Sequence, residues 1–227
     1  MDIPILYEDE CFLVIDKPPG IVVNRAESVK GETVQDWVEK TYHIFIENRG
    51  GIVHRIDKET SGCLVIAKTP ETFAELQRQF KEREIHKTYL AMVHGKLVPG
   101  EGEIRAPVGR LPWNRERFGI VPGGKEAITR YKVLHSIPSN VEGSLFSLVE
   151  LYPESGRTHQ IRVHMKYINH ALVGDYLYAG RKTARADRKW APRVMLHAWK
   201  ISFTHPETRQ SLAIEAPIPD DMRRWLP

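Results

Sequence analysis

The chain is poor in cysteine, in long apolar runs and in the glycine signatures of nucleotide cofactors. Only Cys11 and Cys63 occur in 227 residues. Both lie in strand-like apolar stretches without the paired spacing of a zinc site, so they read as buried free thiols of a reducing compartment. No stretch approaches the ~18 apolar residues that a membrane-spanning helix requires. The opening "MDIPILYEDE" lacks the basic and apolar regions of a secretory signal, so a cytoplasmic protein without membrane contact is expected. There is no GxGxxG after a strand and no GxxxxGK[ST], which removes the usual cradles for NAD and ATP. A GxSxG nucleophile elbow and an HExxH helix are also absent. His159 and His164 stand five apart, which on a helix places them ~140° around the axis rather than on one face. Neither a metal nor a cofactor is therefore expected.

Acidic residues are scarce in one segment. Ser155–Lys200 holds ten Lys/Arg against two Asp, a charge of +8, while the whole chain carries only +4. A basic segment on a near-neutral body is the footprint of a polyanion, most often nucleic acid, although a solvated surface with a chance excess gives the same count.

What is present reads as one domain, 1–227, of the α+β class. "ILYEDECFLVIDKPPGIVV" suggests two strands around the acidic turn Glu8–Glu10, then a Pro-Pro-Gly turn into a third strand at Ile21–Val23. Thr33–His43 places Val34, Trp37, Val38 and Tyr42 near helical spacing, with Thr33 as N-cap. Pro70–Lys81 has Thr69 before it, Pro at its first position and Phe73, Leu76 and Phe80 on one face. Strands are expected at Lys87–Leu97, in "AITRYKVLHS" and "SLFSLVELYP", and near the C-terminus in "RVMLHAWKISF" and "SLAIEAP". Pro99–Gly124, rich in Pro, Gly and Arg, reads as a long excursion outside the core, and "PDDMRRWL" as a short closing helix. Strands outnumber helices without βαβ alternation, which favours a mixed, largely antiparallel sheet flanked by helices and loops.

Two stretches concentrate chemistry. "GGIVHRIDKETSGCLVIAKT" interrupts what looks like a buried hairpin with His54, Arg55, Asp57, Lys58 and Glu59. Asp57 is an isolated carboxylate beside His54 and Arg55, and an Asx-type turn residue and a catalytic acid are both compatible with it. "ESGRTHQIRVHMKYINHALVGD" breaks at Gly156 and then crowds Arg157, Thr158, His159, Gln160 and Arg162 at a helix start. Ile161, Met165 and Ile168 would face a core, with Arg162 and Lys166 together on another face. An arginine close to an otherwise lone aspartate would keep it ionised and oriented, as it would in a purely structural pair.

Four stretches in order resemble the RluA-type family of RNA pseudouridine synthases. "ILYEDECFLVIDKPPGIVV" resembles its opening strands with their Lys-Pro-x-Gly turn. "HRIDKETSGCLVIAKT" resembles the catalytic loop, with Ile56 in place of the usual Leu. "KTYLAMVHG" is similar to the strand carrying the active-site tyrosine, and "GRTHQIRVHM" to the basic third motif, followed by a Gly-Asp turn. The resemblance implies the pseudouridine synthase catalytic fold and isomerisation of uridine to pseudouridine in ribosomal or transfer RNA, with no cofactor. It implies Asp57 as catalytic aspartate, Tyr89 stacked on the target base, and Arg162 paired with the Asp57 carboxylate. Arg55 would enter the RNA stack in place of the flipped nucleotide, Ile161 would floor the pocket, and His54 and Arg157 would help to bind substrate. A snug slot with a stacking aromatic suits a base that must stay bound while detached, and an extruded base needs its vacancy filled.

Departures from the family pattern matter too. The opening strands start near residue 3, so the small N-terminal RNA-binding domain of many relatives is not expected. RNA selection would then fall to the catalytic domain, including Arg105, Arg110, Arg115 and Arg117 of the excursion. Asn24 stands where relatives often carry a His. A monomer is expected. The rival readings are a non-catalytic RNA-binding protein and a hydrolase of N-glycosidic bonds, which would usually need a second carboxylate or a metal.

Overall fold

The computed structural model describes residues 1–27, 29–138 and 145–226. In chain order the elements are β1 (Ile5–Glu8), β2 (Phe12–Lys17), α1 (Val34–Tyr42), β3 (Ser61–Ala67), α2 (Pro70–Glu82) and β4 (His86–His94). There follow β5 (Glu101–Arg105), β6 (Val108–Leu111), β7 (Asn114–Ile120), β8 (Ile128–Pro138) and β9 (Leu145–Pro153). The chain closes with α3 (Gln160–Tyr167), α4 (Arg181–Asp187), β10 (Leu196–Thr204), β11 (Ser211–Glu215) and α5 (Asp220–Arg223). The chain folds as two compact units, 1–87 with 198–217, and 88–197 with 218–227.

In the first unit β1, β2, β3 and β10 lie side by side, with β11 also pairing β10. The β1/β2, β2/β3 and β10/β11 ladders are antiparallel. β3 is buried throughout, as its unbroken apolar run demands of a strand covered on both faces. α2 packs Phe73 and Leu76 against Phe12, Val14, Val65 and Phe203. It starts as expected, with Thr69 Oγ1 accepting from the Thr72 N–H and Pro70 at the first position, and Arg83 closes it in the left-handed conformation. At α1, Thr33 and Asp36 form a reciprocal capping box.

The expected third strand at Ile21–Val23 does not form. Pro18 and Pro19 remove two donors just upstream, and the carbonyls of Val22 and Val23 accept from the N–H groups of Val34 and Gln35, at 3.0 Å each. These are first-turn amides of α1 that have no partner inside the helix.

The second unit orders β4, β9, β8 and β5 antiparallel. Its core joins Ala91, Val93, Val149, Leu151, Ile161, Met165, Leu172 and Leu196, with Ile168 packed against it, so the apolar face of α3 lies as its spacing predicts. Ser144, the first residue of the expected "SLFSLVELYP" strand, lies outside the described residues.

The excursion at Pro99–Gly124 needs correcting. Its first part is β5, an edge strand in register with β8 from Glu101↔Lys132 to Arg105↔Ile128. Ile104 and Ala106 carry it into the core, which the surrounding Pro, Gly and Arg had hidden. Only β6 and β7 form a separate hairpin. With strands outnumbering helices and the ladders largely antiparallel, the α+β class holds.

Candidate active site

The first unit builds the loop that carries Asp57. Two glycines bracket it. Gly51 has φ +69° and Gly62 φ +107°, and a Cβ would sit 2.1 Å from the Ala67 carbonyl oxygen at the first and 2.2 Å from that of Ala198 at the second. Only glycine fits either position. Between them Ile52 bridges Ile66, and the Thr60 N–H closes a turn on the Asp57 carbonyl at 3.1 Å. Ile56 is buried, while Arg55 is exposed and Asp57 half-buried on either side of it. One apolar anchor thus turns a cation and a carboxylate away from the core.

His54 fixes the loop from within. Its Nε2 accepts the Val65 N–H at 3.0 Å, and its ring lies on Phe80 with centroids 4.7 Å apart. Burial, reinforced by the positive charge of Lys87, pushes its pKa down to about 3, so the ring is neutral at physiological pH. Burial likewise lowers Lys87 to about 8.

Lys17 is a residue that sequence reasoning missed. Fully buried, its Nζ donates to the carbonyls of Pro18, Ile21 and Lys58 at 2.8, 3.0 and 3.1 Å. It ties the Pro-Pro-Gly turn to the Asp57 loop, and the Gly20 N–H adds a 2.8 Å bond to the Lys58 carbonyl. The Lys-Pro pair was visible, but nothing local said that its ammonium would point inward.

The second unit carries Tyr89, Ile161, Arg162 and Arg157. Tyr89 pairs with Leu151 across β4/β9 and is half-buried against the cluster that contains Ile161. Arg162, on the next position of α3, is buried. Its Nε and Nη2 donate to the two oxygens of Asp175 at 2.7 and 2.9 Å, a bidentate pair with side-chain exposures of 8% and 0%. The Tyr178 ring lies 5.0 Å from the guanidinium carbon. Asp175 also accepts from the N–H groups of Leu177 and Tyr178, so the turn after α3 is built around this carboxylate. Arg157 sits apart, half-buried, its Nε donating to the Glu126 carbonyl at 3.3 Å.

The third motif spends its other polar residues on anchoring. Gln160 accepts at Oε1 from the Ser155 hydroxyl and the Arg157 N–H, and donates from Nε2 to the Ile128 carbonyl and Thr129 Oγ1. His164 Nε2 faces the Ala106 carbonyl at 3.1 Å, so it holds the proton, and Nδ1 accepts from the Thr129 hydroxyl at 2.9 Å. Burial keeps this ring neutral as well. His159 caps α3 in the left-handed conformation, and its Nδ1 shares a 2.9 Å hydrogen bond with the Tyr178 hydroxyl, which also accepts the Phe118 N–H. His159 and His164 are thus used as hydrogen-bonding spacers.

Among the described residues, one group places three metal-binding side chains within 4.8 Å, namely Asp9, Cys11 and His205. Its geometry does not suit an ion. His205 Nδ1 accepts the N–H groups of Glu207 and Thr208, which forces the proton onto Nε2, and that nitrogen donates to Asp9 at 2.9 Å. Burial raises the Cys11 thiol to about 11 and the Cys63 thiol to about 12, so both stay protonated.

The loop, the tyrosine-bearing strand and the arginine helix fall within a recognised family. The RNA pseudouridylate synthase family model matches residues 11–167, a span that includes Asp57, Tyr89 and Arg162. The chain belongs to that family. It is 41% identical over 98% of its length to a protein of Nitrosomonas europaea named ribosomal large subunit pseudouridine synthase D, of which it covers 64%. A protein of the same name from Neisseria meningitidis is 40% identical over the whole chain, which covers 61% of it. The chain therefore spans about three fifths of the length of these two relatives. An uncharacterized RNA pseudouridine synthase of Bacillus subtilis, YlyB, is 40% identical and 72% covered. Among solved structures, human RNA pseudouridylate synthase domain containing 1 superposes with a TM-score of 0.76 at 29% identity, over 96% of this chain and 84% of that one. No helix among the described residues is long and apolar enough to cross a membrane.

Proposed function

We propose that the protein is an RNA pseudouridine synthase, an isomerase whose two units form one catalytic domain. The observation that carries this reading is the loop in which buried Ile56 turns exposed Arg55 and half-buried Asp57 outward. In this reading Asp57, Tyr89 and Arg162 act on one uridine. The bond from ribose C1′ to N1 breaks, the uracil rotates, and C5 bonds to C1′. C5 then loses its proton, and N1 gains one. The Asp57 carboxylate meets the charge that develops at the ribose, where a fixed negative group lowers the barrier. The Tyr89 ring stacks on the detached base, with Ile161 below it. Arg162 orients the Asp57 carboxylate. Asp175 engages two of the five guanidinium N–H donors, and Tyr178 covers one face, so the group is set in place before substrate arrives. Arg55 fills the space left by the flipped nucleotide, because a planar cation both stacks and hydrogen-bonds. His54 supports the loop from beneath, and Arg157 meets the RNA backbone.

The names of the relatives favour RNA of the large ribosomal subunit as substrate, with transfer RNA as the alternative. The β6/β7 hairpin contributes to selection, with Trp113 78% exposed at its tip and Arg110 stacked 5.1 Å over Phe118. The side chain of Arg115 in that hairpin lies outside those described. The protein acts as a monomer in the cytoplasm, which sedimentation and cell fractionation would check. Among the described residues, the exposed large apolar side chains include Phe45, Val98, Trp113 and Tyr176.

Tritium release from RNA labelled at uridine C5 tests the activity. Release from large-subunit ribosomal RNA, with the label lost as water and the uracil retained, is expected. Free uracil in its place would identify an N-glycosidic hydrolase, and binding without release a non-catalytic RNA-binding protein.

A further inference from the structure

α4 presents a row of cations that no part of the proposed chemistry uses. Arg181 and Arg185 stand four apart, about 6 Å along the helix axis, with Lys182 beside the first and Lys189 in the turn that follows the helix. All four are exposed, and four of the five residues lining a shallow cavity of about 410 Å³ are these cations, Ala186 being the fifth. Among the described residues none of the four is held by an ion pair.

Left to itself this arrangement is unfavourable. Like charges four apart on a helix repel, and cations in the first turn oppose the helix dipole. The first turn has no acidic residue, and Gly180 gives no side-chain cap. The helix is held from its inner side instead. Ala184 is fully buried, and Asp187 accepts from His94 Nε2 at 3.0 Å and from the Gly174 N–H at 2.9 Å. Arg188 Nε adds a 2.9 Å bond to the Gly174 carbonyl. The inner face thus fixes a cationic outer face in position, which suits an external polyanion.

The geometry points to α4 and the turn after it as a binding rail for the RNA phosphate backbone, engaged by Arg181, Lys182, Arg185 and Lys189. This inference rests on the RNA reading above. A lipid surface fits less well, because Arg181–Asp187 holds no large apolar side chain to enter a bilayer interface. Contacts of this kind position RNA without reading its sequence.

The test compares the protein with a triple variant, R181Q/R185Q/K189Q, in binding to large-subunit ribosomal RNA across a KCl series. A control variant, K30Q/K40Q/K81Q, removes the same charge from exposed positions of the first unit. Each lost phosphate contact lowers the slope of log affinity against log salt by about 0.7–0.9, so the triple variant is expected to lose about 2.1–2.7 units of slope. Its binding at 0.15 M KCl should weaken tenfold or more, with the control close to wild type and both melting like wild type. An unchanged slope in the triple variant, or an equal loss in the control, would overturn the rail. So would a variant that keeps its RNA slope and loses binding only to phosphatidylserine vesicles. A wild type that shows the rail's salt slope but releases no tritium would refute the enzymatic reading and leave the rail standing.

Discussion

α3 and α4 carry basic residues at the same four-residue spacing, yet the two helices use them differently. In α3, Arg162 is buried in a bidentate grip on Asp175, under the Tyr178 ring, while Lys166 is exposed. In α4, Arg181 and Arg185 face solvent, as does Lys189 in the turn that follows it. What separates them is not the helix but a carboxylate thirteen residues after Arg162. His54 shows a third arrangement, a half-buried base whose desolvation keeps it neutral. A basic side chain can be paired, deprotonated or left exposed, and here only the first keeps a full charge in the interior.

The largest effect should come from breaking the buried pair. Asp175→Asn leaves the Arg162 charge poorly compensated in the interior, and about 3 kcal/mol or more of stability should be lost, as urea unfolding would show. Loss below 1 kcal/mol would mean that the pair is incidental.

The neutral base gives a pH signature of intermediate size. The folded pKa of His54 is depressed to about 3, below the unfolded value of ~6.5. Below pH 6.5 the unfolded chain therefore binds a proton that the folded chain refuses. Stability should fall as pH falls from there towards 3, by about 1.4 kcal/mol per pH unit from this residue, with no contribution above that window. His164 acts in the same direction. Urea melts at pH 6 and pH 4 should show a slope shallower by about one proton in His54→Asn, and equal slopes would contradict the burial argument.

The smallest effect belongs to α4. Arg185→Gln should change stability by less than about 0.5 kcal/mol, as surface substitutions usually do. A destabilisation comparable to that of Asp175→Asn would erase the contrast between the helices.

The loop around Asp57 was legible in the sequence because its parts are local. Gly51, Gly62, Ile56 and the charged residues between them sit within a dozen positions, and each rule that reads them is short-range. The helix at Pro70 was legible for the same reason, through its cap, its proline and its apolar face. Asp175 was not, since a Gly-Asp pair reads as a turn whether or not an arginine closes on it. α4 has no periodic signal in the sequence because Ala184 alone provides its buried apolar contact. β5 was obscured by its neighbours' composition, and Ile21–Val23 looked like a strand because its alternative partners, the amides of α1, are a tertiary fact. Lys17 belongs with Asp175, since a buried charge is invisible until its partners are in place.

The central claim, that the carboxylate of Asp57 performs uridine isomerisation, is tested most directly by tritium release from C5-labelled large-subunit ribosomal RNA with wild type and Asp57→Asn. The account predicts release by the wild type and none above background by the variant, with RNA affinity retained. Release by Asp57→Asn at the wild-type rate would contradict it.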